Sequence, residues 1–211
     1  MAGRYRRLNK DFFLRSTINI AKELVGKIIC RKWGNRTLMG MIVETEAYPG
    51  INDPASHTYI GKTKRNESMF EEGGIAYVYF TYGNHYCFNV VTGLKDKGSG
   101  VLIRGVEPLD GIDIMMNNRN VTDIYNLTNG PGKFAHAFGI DKNLNAADLL
   151  NGNDIFLLES EEDIKHKIAK SKRIGITKNT EKLYRFYIID NPFVSGAGRA
   201  VFRKKNNDNS S

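Results

Sequence analysis

Only two cysteines, Cys30 and Cys87, occur in 211 residues, and they lie far apart. Without a Cys-x-x-Cys pair, the common zinc and iron–sulfur ligand sets are not expected, and a reducing compartment agrees with so little thiol. No apolar run reaches the roughly 20 residues of a membrane span. The opening Met1-Ala2-Gly3-Arg4-Tyr5-Arg6-Arg7 is basic but lacks the apolar stretch of a secretion signal. The chain is therefore expected in the cytoplasm. Asn-x-Ser/Thr matches such as Asn35-Arg36-Thr37 then carry no meaning. A phosphate loop is missing too. Gly130-Pro131-Gly132-Lys133 has neither the four-residue spacing nor the Ser/Thr after the lysine.

Negative charge is the scarcer sign. Lys and Arg number 31 against 23 Asp and Glu, a formal charge of +8. That excess favours a polyanionic partner, nucleic acid first and an anionic membrane surface second; solubilising surface lysines are the plain alternative. The apolar fraction of 41% and charged fraction of 26% are those of an ordinary globular chain. The length fits one large domain, with two small ones as the second reading. No internal repeat or linker divides it.

The pattern along the chain predicts an α+β single domain: a curved, mainly antiparallel β-sheet with surrounding helices and a protruding β-hairpin. Residues 1–10 form a basic lead-in, 11–203 the domain, and 204–211 a polar tail expected to be disordered. Asp11 to Val25 reads as one amphipathic helix anchored by Phe13, Ile20 and Leu24, with Gly26 stopping it. Lys27–Lys32 and Thr37–Glu46 read as strands around a Gly34-Asn35 turn. The segment from Tyr48 to Glu72 is a long irregular loop, a kind that usually serves function. Ile75–Tyr82 and Tyr86–Thr92 form a second hairpin. A strand follows at Val101–Val106, ended by Pro108, and then a short helix from Asp110 to Asn117. A helix starts near Pro131, where a missing N–H is harmless, and runs to Phe138. A short helix at Ala146–Leu150 and strands at Ile155–Glu159 and Leu183–Ile189 complete the reading.

Strand alternation puts Glu44, Glu46 and Tyr48 on one face and Val43, Thr45 and Ala47 on the other. The apolar face is the one expected to be buried, so both carboxylates are expected to look outward. A solvated strand edge is the plain alternative for any lone glutamate. Tyr48 on the same face, with His57 nine residues on, weakens it. Arg104 sits in a strongly apolar strand and calls for a carboxylate or phosphate partner, a structural salt bridge being the plain case.

The hairpin Tyr77-Val78-Tyr79-Phe80-Thr81-Tyr82-Gly83-Asn84-His85-Tyr86-Cys87-Phe88-Asn89 carries a geometric argument. A two-residue turn at Gly83-Asn84 opposes Tyr79 to Phe88 and sends Asn89 to the other face. A loop of Gly83 to His85 pairs Tyr79 with Asn89 and Tyr82 with Tyr86. Only the second register puts Tyr79 and Asn89 on one face, and it leaves Tyr82 projecting at the tip. Tip aromatics on basic proteins serve as wedges between stacked bases. Tyr77, Phe80 and Phe88 are assigned to core packing. Lys133, at a helix start, could hold one backbone phosphate. His85, His136 and His166 show no partner and read as structural or surface residues.

At these residues the chain closely resembles the alkyladenine DNA glycosylase family, also called the methylpurine or 3-methyladenine DNA glycosylases. The match runs from Gly40-Met41-Ile42-Val43-Glu44-Thr45-Glu46-Ala47-Tyr48 through Ala55-Ser56-His57, Arg65-Asn66, Met69-Phe70 and Tyr77-Val78-Tyr79. It continues at Tyr82-Gly83, Cys87, Asn89, Val101-Leu102-Ile103-Arg104, Glu107-Pro108-Leu109, Gly130-Pro131-Gly132-Lys133 and Arg185-Phe186-Tyr187, in order over most of residues 10–195. The resemblance implies a monofunctional glycosylase of base excision repair that needs no metal and no cofactor. Its expected partner is double-stranded DNA containing damaged purines, with no membrane and no obligate protein partner, and the protein is expected to associate with the nucleoid if bacterial. The resemblance makes Glu46 the activator of the attacking water and has Arg104 help to position that water. It has Tyr48, His57 and Tyr79 hold the extruded base, with Leu102 and Cys87 also in the pocket. Asn89 crowds out the exocyclic amine of guanine, and Tyr82 fills the gap in the duplex. Asn84 touches the flanking strand, while Lys133, Arg65 and other basic residues (Arg4, Arg6, Arg7, Lys62, Lys64) meet the backbone. The chain departs from the family at Asn84 and His85, where members often carry larger side chains. No lysine replaces the glutamate, so no Schiff-base lyase step is expected.

Two rivals remain at this point. One is a catalytically silent binder of damaged DNA, for which retaining both Glu46 and Arg104 has no purpose. The other is a metal-dependent hydrolase built on Glu44, Glu46, Asp53 and His57, which leaves the aromatic hairpin without a role.

Overall fold

In the computed structural model, residues 5–160 and 165–196 are described; the expected tail at 204–211 and residues 1–4 of the lead-in lie outside them. The fold is α+β, as expected. Among the described residues, nine strands make one open sheet in which every pairing is antiparallel. They are β1 (Tyr5–Arg7), β2 (Ile28–Trp33), β3 (Arg36–Tyr48), β4 (Ala76–Thr81), β5 (His85–Thr92), β6 (Ser99–Asp110), β7 (Ile155–Ser160), β8 (Ile168–Ser171) and β9 (Arg185–Ile188). Their order is β1-β7-β2-β3-β6-β5-β4, with β9 paired to β3 and to β8. The helices are α1 (Lys10–Phe13), α2 (Thr17–Leu24), α3 (Ile112–Arg119) and α4 (Pro131–Ala137).

The long strand β3 organises everything else. Its first half pairs with β2 across Gly34-Asn35, where Gly34 takes φ 56° and Trp33 opposes Arg36, the expected two-residue turn. Its second half, Glu44 to Glu46, pairs with β9 on that side, and β6 runs along the whole other side. One face of the sheet is closed by α2, whose Ile20, Ala21 and Leu24 are fully buried together with Phe134 and Phe138 from the α4 region. Burying a Leu or Ile stabilises by about 1.5–3 kcal/mol, which outweighs the weak intrinsic stability of so short a helix.

The expected single helix over 11–25 is two. The Phe13 carbonyl accepts from Gly93 N–H at 2.8 Å, so it is drawn out of the helical ladder. Pro108 does not end its strand; β6 continues to Asp110. Its missing N–H is tolerated because β5 pairs with β6 only over Ser99–Leu102, and the β3 ladder shifts register between Met39 and Gly40. The expected helix at Ala146–Leu150 is absent. Ala146 adopts φ 64°, and the segment bonds to the β4 region through Ala146 N–H to Ala76 O, Ala76 N–H to Ala147 O and Leu149 N–H to Gly74 O. It thereby covers a sheet edge that would otherwise expose its backbone. The basic lead-in is partly strand, since Tyr5–Arg7 pairs with Leu158–Ser160.

Both register alternatives for the second hairpin miss by a small step. Thr81 pairs with His85, Tyr79 with Cys87 and Tyr77 with Asn89 around a loop of Tyr82, Gly83 and Asn84. The difference from the longer-loop register is an even one, so Tyr79 and Asn89 still share a face. The outward carboxylates are the larger correction. Glu44 and Glu46 are fully buried, because residues 173–174, β9 and residues 193–195 cover the face that alternation leaves to solvent.

The pairing of β3 with β6 contains two compensating bulges. Ile42 opposes Val106, Glu44 opposes Gly105 and Thr45 opposes Ile103, so the register skips Val43 on one strand and Arg104 on the other. Such bulges re-aim side chains beside functional sites. Gly105 is required at this point, since a Cβ there would stand 2.6 Å from Phe193 O and 3.2 Å from Glu44 Oε2. Gly105→Ala is expected to lower unfolding stability by about 1–3 kcal/mol, read by urea denaturation.

Candidate active site

The bulged segment gathers buried charge. Glu44 Oε1 accepts from Arg104 Nε at 3.0 Å, Arg185 Nε at 2.6 Å and Ser195 Oγ at 2.7 Å, and Oε2 accepts from Ser195 N–H at 2.6 Å. Glu44 is thus the carboxylate partner that Arg104 calls for in its apolar strand, the plain salt-bridge case. The other end of the same guanidinium, Nη1, reaches Glu46 Oε2 at 3.3 Å. Glu46 Oε2 also accepts from the Tyr48 hydroxyl at 2.9 Å, and Oε1 accepts from Ile174 N–H at 2.7 Å. Burial raises the Glu46 pKa above the usual carboxylate value; Arg104, Ile174 N–H and the Tyr48 hydroxyl pull the other way, and Glu44 adds to the rise. The Tyr48 phenol is raised as well, by burial and then by the Glu46 charge, so it stays a proton donor to that carboxylate.

Tyr48 and Arg104 face a cavity of about 600 Å³. Glu46 stands directly behind these two side chains. Other walls come from Pro54–His57 of the long loop, from Tyr77 and Tyr79 of β4, and from Ile174–Lys178. The ring system is continuous. His57 lies edge-on to Tyr79 with centroids 4.5 Å apart, and Tyr77 stacks on Tyr79 at 5.3 Å. His57 Nδ1 is 3.1 Å from the Tyr77 hydroxyl. Burial, with a smaller push from Arg65, lowers the His57 pKa, so the imidazole is neutral at neutral pH. Asn89 and Leu102, partners across β5 and β6, also line the cavity, as does Cys87, whose thiol pKa burial raises. Asn89 Nδ2 donates to Tyr77 O at 3.2 Å, which fixes the amide against the wall.

Tyr82 stands at the mouth. It lines the cavity yet is 85% exposed, and it holds φ 53°, a left-handed conformation rare for a tyrosine. Asn84 is exposed on the same tip. Arg65 donates from Nη2 to Phe80 O at 2.9 Å and lies 5.8 Å from the Tyr79 ring, on the flank of the hairpin. Lys133 is turned inward, donating to Asn126 Oδ1 at 2.5 Å and Asn129 Oδ1 at 2.8 Å. Arg6 pairs with Glu159, and Arg7 lies over Phe156.

Of the three aromatics assigned to the core, only Phe88 is wholly so. Tyr77 reaches the cavity with its hydroxyl, and Phe80 is half exposed against Tyr86. The four residues of the metal-site rival are dispersed among cations. Glu44 is held by Arg104 and Arg185, and Asp53 by Arg173. Among the described residues, no three His, Cys, Asp or Glu side chains gather as a metal-binding group. Sequence reasoning did not find Arg173, the Ile174 N–H, Arg185 in its role on Glu44, or Ser195. The one available signal was Arg185-Phe186-Tyr187, charge beside aromatics in a short strand. Among the described residues, no helix is long and apolar enough to cross a membrane.

Comparison with known proteins identifies the family. The family model for methylpurine-DNA glycosylase (MPG) matches residues 11–192. A protein of Clostridium beijerinckii is 48% identical over 200 residues, covering 89% of this chain and 98% of its own length. Proteins of Natranaerobius thermophilus (44% over 195 residues; 90% and 98% covered) and Francisella tularensis (46% over 190; 89% and 98%) are similar. All three are provisionally named 3-methyladenine DNA glycosylases. With the family pattern spanning nearly the whole sheet and the ring-lined cavity, this chain belongs to the methylpurine-DNA glycosylase family of DNA repair enzymes.

Proposed function

We propose that this protein extrudes alkylated or deaminated purines from duplex DNA and hydrolyses their N-glycosidic bond, leaving an abasic site. 3-Methyladenine, 7-methylguanine, hypoxanthine and ethenoadenine are the substrates. The observation that carries this reading is a single cavity lined by Tyr48, His57, Tyr77, Tyr79 and Arg104, with the buried Glu46 carboxylate behind Arg104 and the exposed Tyr82 at its mouth.

Taking a base out of a duplex costs a few kcal/mol. Stacking on tyrosine faces returns about 1–3 kcal/mol per base. Cationic alkylpurines gain more from the same faces, and a neutral His57 does not repel them. Tyr82 enters the vacated stack and opposes return of the base. Asn89, fixed by its bond to Tyr77 O, sets the limit on exocyclic groups. In the chemical step the sugar–nitrogen bond breaks with its electron pair leaving on the base. A water oxygen bonds to the anomeric carbon, and its proton passes to Glu46, which stands behind Tyr48 and Arg104. The Glu46 carboxylate also stabilises the cationic sugar, and Arg104 keeps it ionised and aimed. A positively charged base leaves as a neutral molecule without acid help, and a neutral base such as hypoxanthine leaves as an anion that takes its proton from water.

The test is chromatographic detection of free base from duplexes carrying each lesion, run with EDTA and, in parallel, with magnesium in its place. Free base together with an alkali-labile site supports the proposal. Tight lesion binding without release supports a silent binder instead. Strand scission that requires a divalent ion would return the metal-dependent rival.

Two further results are expected. Tyr82→Ala folds normally, because the side chain is exposed, but loses about tenfold to a hundredfold in lesion-duplex affinity, read by anisotropy. The single-turnover rate falls as pH drops through the raised Glu46 pKa, because only the ionised carboxylate accepts the proton. A rate that rises on acidification would contradict this assignment.

A further inference from the structure

Residues 172–184, between β8 and β9, contain no helix or strand, yet they supply one wall of the cavity and the N–H that holds Glu46. No ladder positions that N–H. What does position it is the neighbouring side chain. Arg173 is fully buried and makes a two-pronged ion pair with Asp53, Nη1 to Oδ2 at 2.5 Å and Nη2 to Oδ1 at 2.9 Å. Nη1 also donates to Ala47 O at 2.9 Å, and the guanidinium lies 4.6 Å from the Tyr48 ring centre. Asp53 is further held by Asn179 Nδ2 at 2.8 Å and Ala55 N–H at 3.1 Å. The pair thus joins the Pro54–His57 wall to the Ile174–Lys178 wall and passes beneath Tyr48. Buried ion pairs seldom add net stability over apolar residues of the same size, and a use in specifying geometry is their best-attested role.

We propose that Arg173 and Asp53 form a buried clasp whose task is to place the Ile174 N–H on Glu46 and to hold two cavity walls in register, which makes both of them positioning residues for the glycosylase reaction. The inference rests on the function proposed above. It assigns these residues no contact with the base or with the water.

The clasp has a signature that a merely structural pair lacks. Glu46 is faced by Arg104 from β6, by Tyr48 and Glu44 from its own strand, by Cys87 from β5, by Arg185 opposite it on β9, and by Arg173 and the Ile174 N–H from the loop. Of these, Arg173 belongs to the clasp, and the Ile174 N–H beside it and the Tyr48 ring against its guanidinium depend on the clasp for their positions. That N–H holds the Glu46 pKa down, so loosening it moves the acid limb of the rate profile to higher pH.

The experiment measures single-turnover base release from a hypoxanthine-containing duplex against pH for wild type, Arg173→Lys and Asn179→Ala, with melting curves and affinity for an abasic-site duplex recorded in parallel. Arg173→Lys keeps the charge but loses the two-pronged geometry. Its rate is expected to fall about tenfold to a hundredfold, as misplacing a positioning element does, with the acid limb displaced upward and abasic-site affinity within threefold. Asn179→Ala removes one hydrogen bond and should fold in any case. It shows the same displacement with a smaller rate loss. Variants that melt earlier but keep the wild-type rate and pH profile overturn the clasp, and so does an unshifted acid limb in Asn179→Ala if Arg173→Lys fails to fold. A wild type that releases no base from any lesion overturns the glycosylase reading itself, a distinct result that takes the clasp's catalytic purpose with it.

Discussion

Glu46→Gln abolishes base release while leaving lesion-duplex binding within a few fold. The carboxylate is fully buried, accepts three hydrogen bonds and does not itself line the cavity, so the substitution leaves the stacking surface as it was. What is lost is the proton acceptor and the negative charge near the developing sugar cation. General-base assistance alone contributes about 10²–10⁴ in rate, and the charge adds to it. Single-turnover release measured beside anisotropy titration with the same duplex separates the two effects. Equal loss of binding and release would mean that Glu46 shapes the pocket and does no chemistry.

Arg104→Met is expected to have the largest effect on stability of any single change at the site. Arg104 spans two fully buried carboxylates, with Nε on Glu44 and Nη1 on Glu46. Methionine fills similar space, but it leaves Glu46 without a cation in hydrogen-bond reach, while Glu44 keeps Arg185. Removing one partner of such a buried pair costs about 3–5 kcal/mol. At this chain length each kcal/mol lowers Tm by about 2–4 °C, so a fall on the order of 10 °C is expected. The sign of the pH dependence follows. With Arg104 gone, the Glu46 pKa rises further, and the destabilisation grows as pH rises through that value and shrinks on acidification. Calorimetry at two pH values checks this, and a loss that grows on acidification would contradict it.

Much of the sheet was legible because its strands alternate and its turns carry glycine. The Gly34-Asn35 turn, the second hairpin and the common face of Tyr79 and Asn89 are local properties. The burial of Glu44 and Glu46 is not. Alternation says only that the two sides of β3 differ, and here segments 128 to 151 residues later in the chain cover the polar side. The same cause hid Arg173, Ile174 and Ser195, which lie outside strands and helices and gain meaning only where the chain returns to β3. Short edge strands such as Tyr5–Arg7 and Ile168–Ser171 carry too few residues for a period. Pro108 misled because a strand paired on one side only can spare an N–H there.

The measurement that bears most directly on the account is a crystal structure of the Glu46→Gln protein bound to a duplex containing ethenoadenine. The account places the extruded base in the cavity against Tyr48, His57 and Tyr79, with the Tyr82 ring in the vacated stack and Asn89 beside the base edge. A base that stays paired in the duplex, or one that leaves the cavity empty and binds elsewhere on the surface, would contradict it.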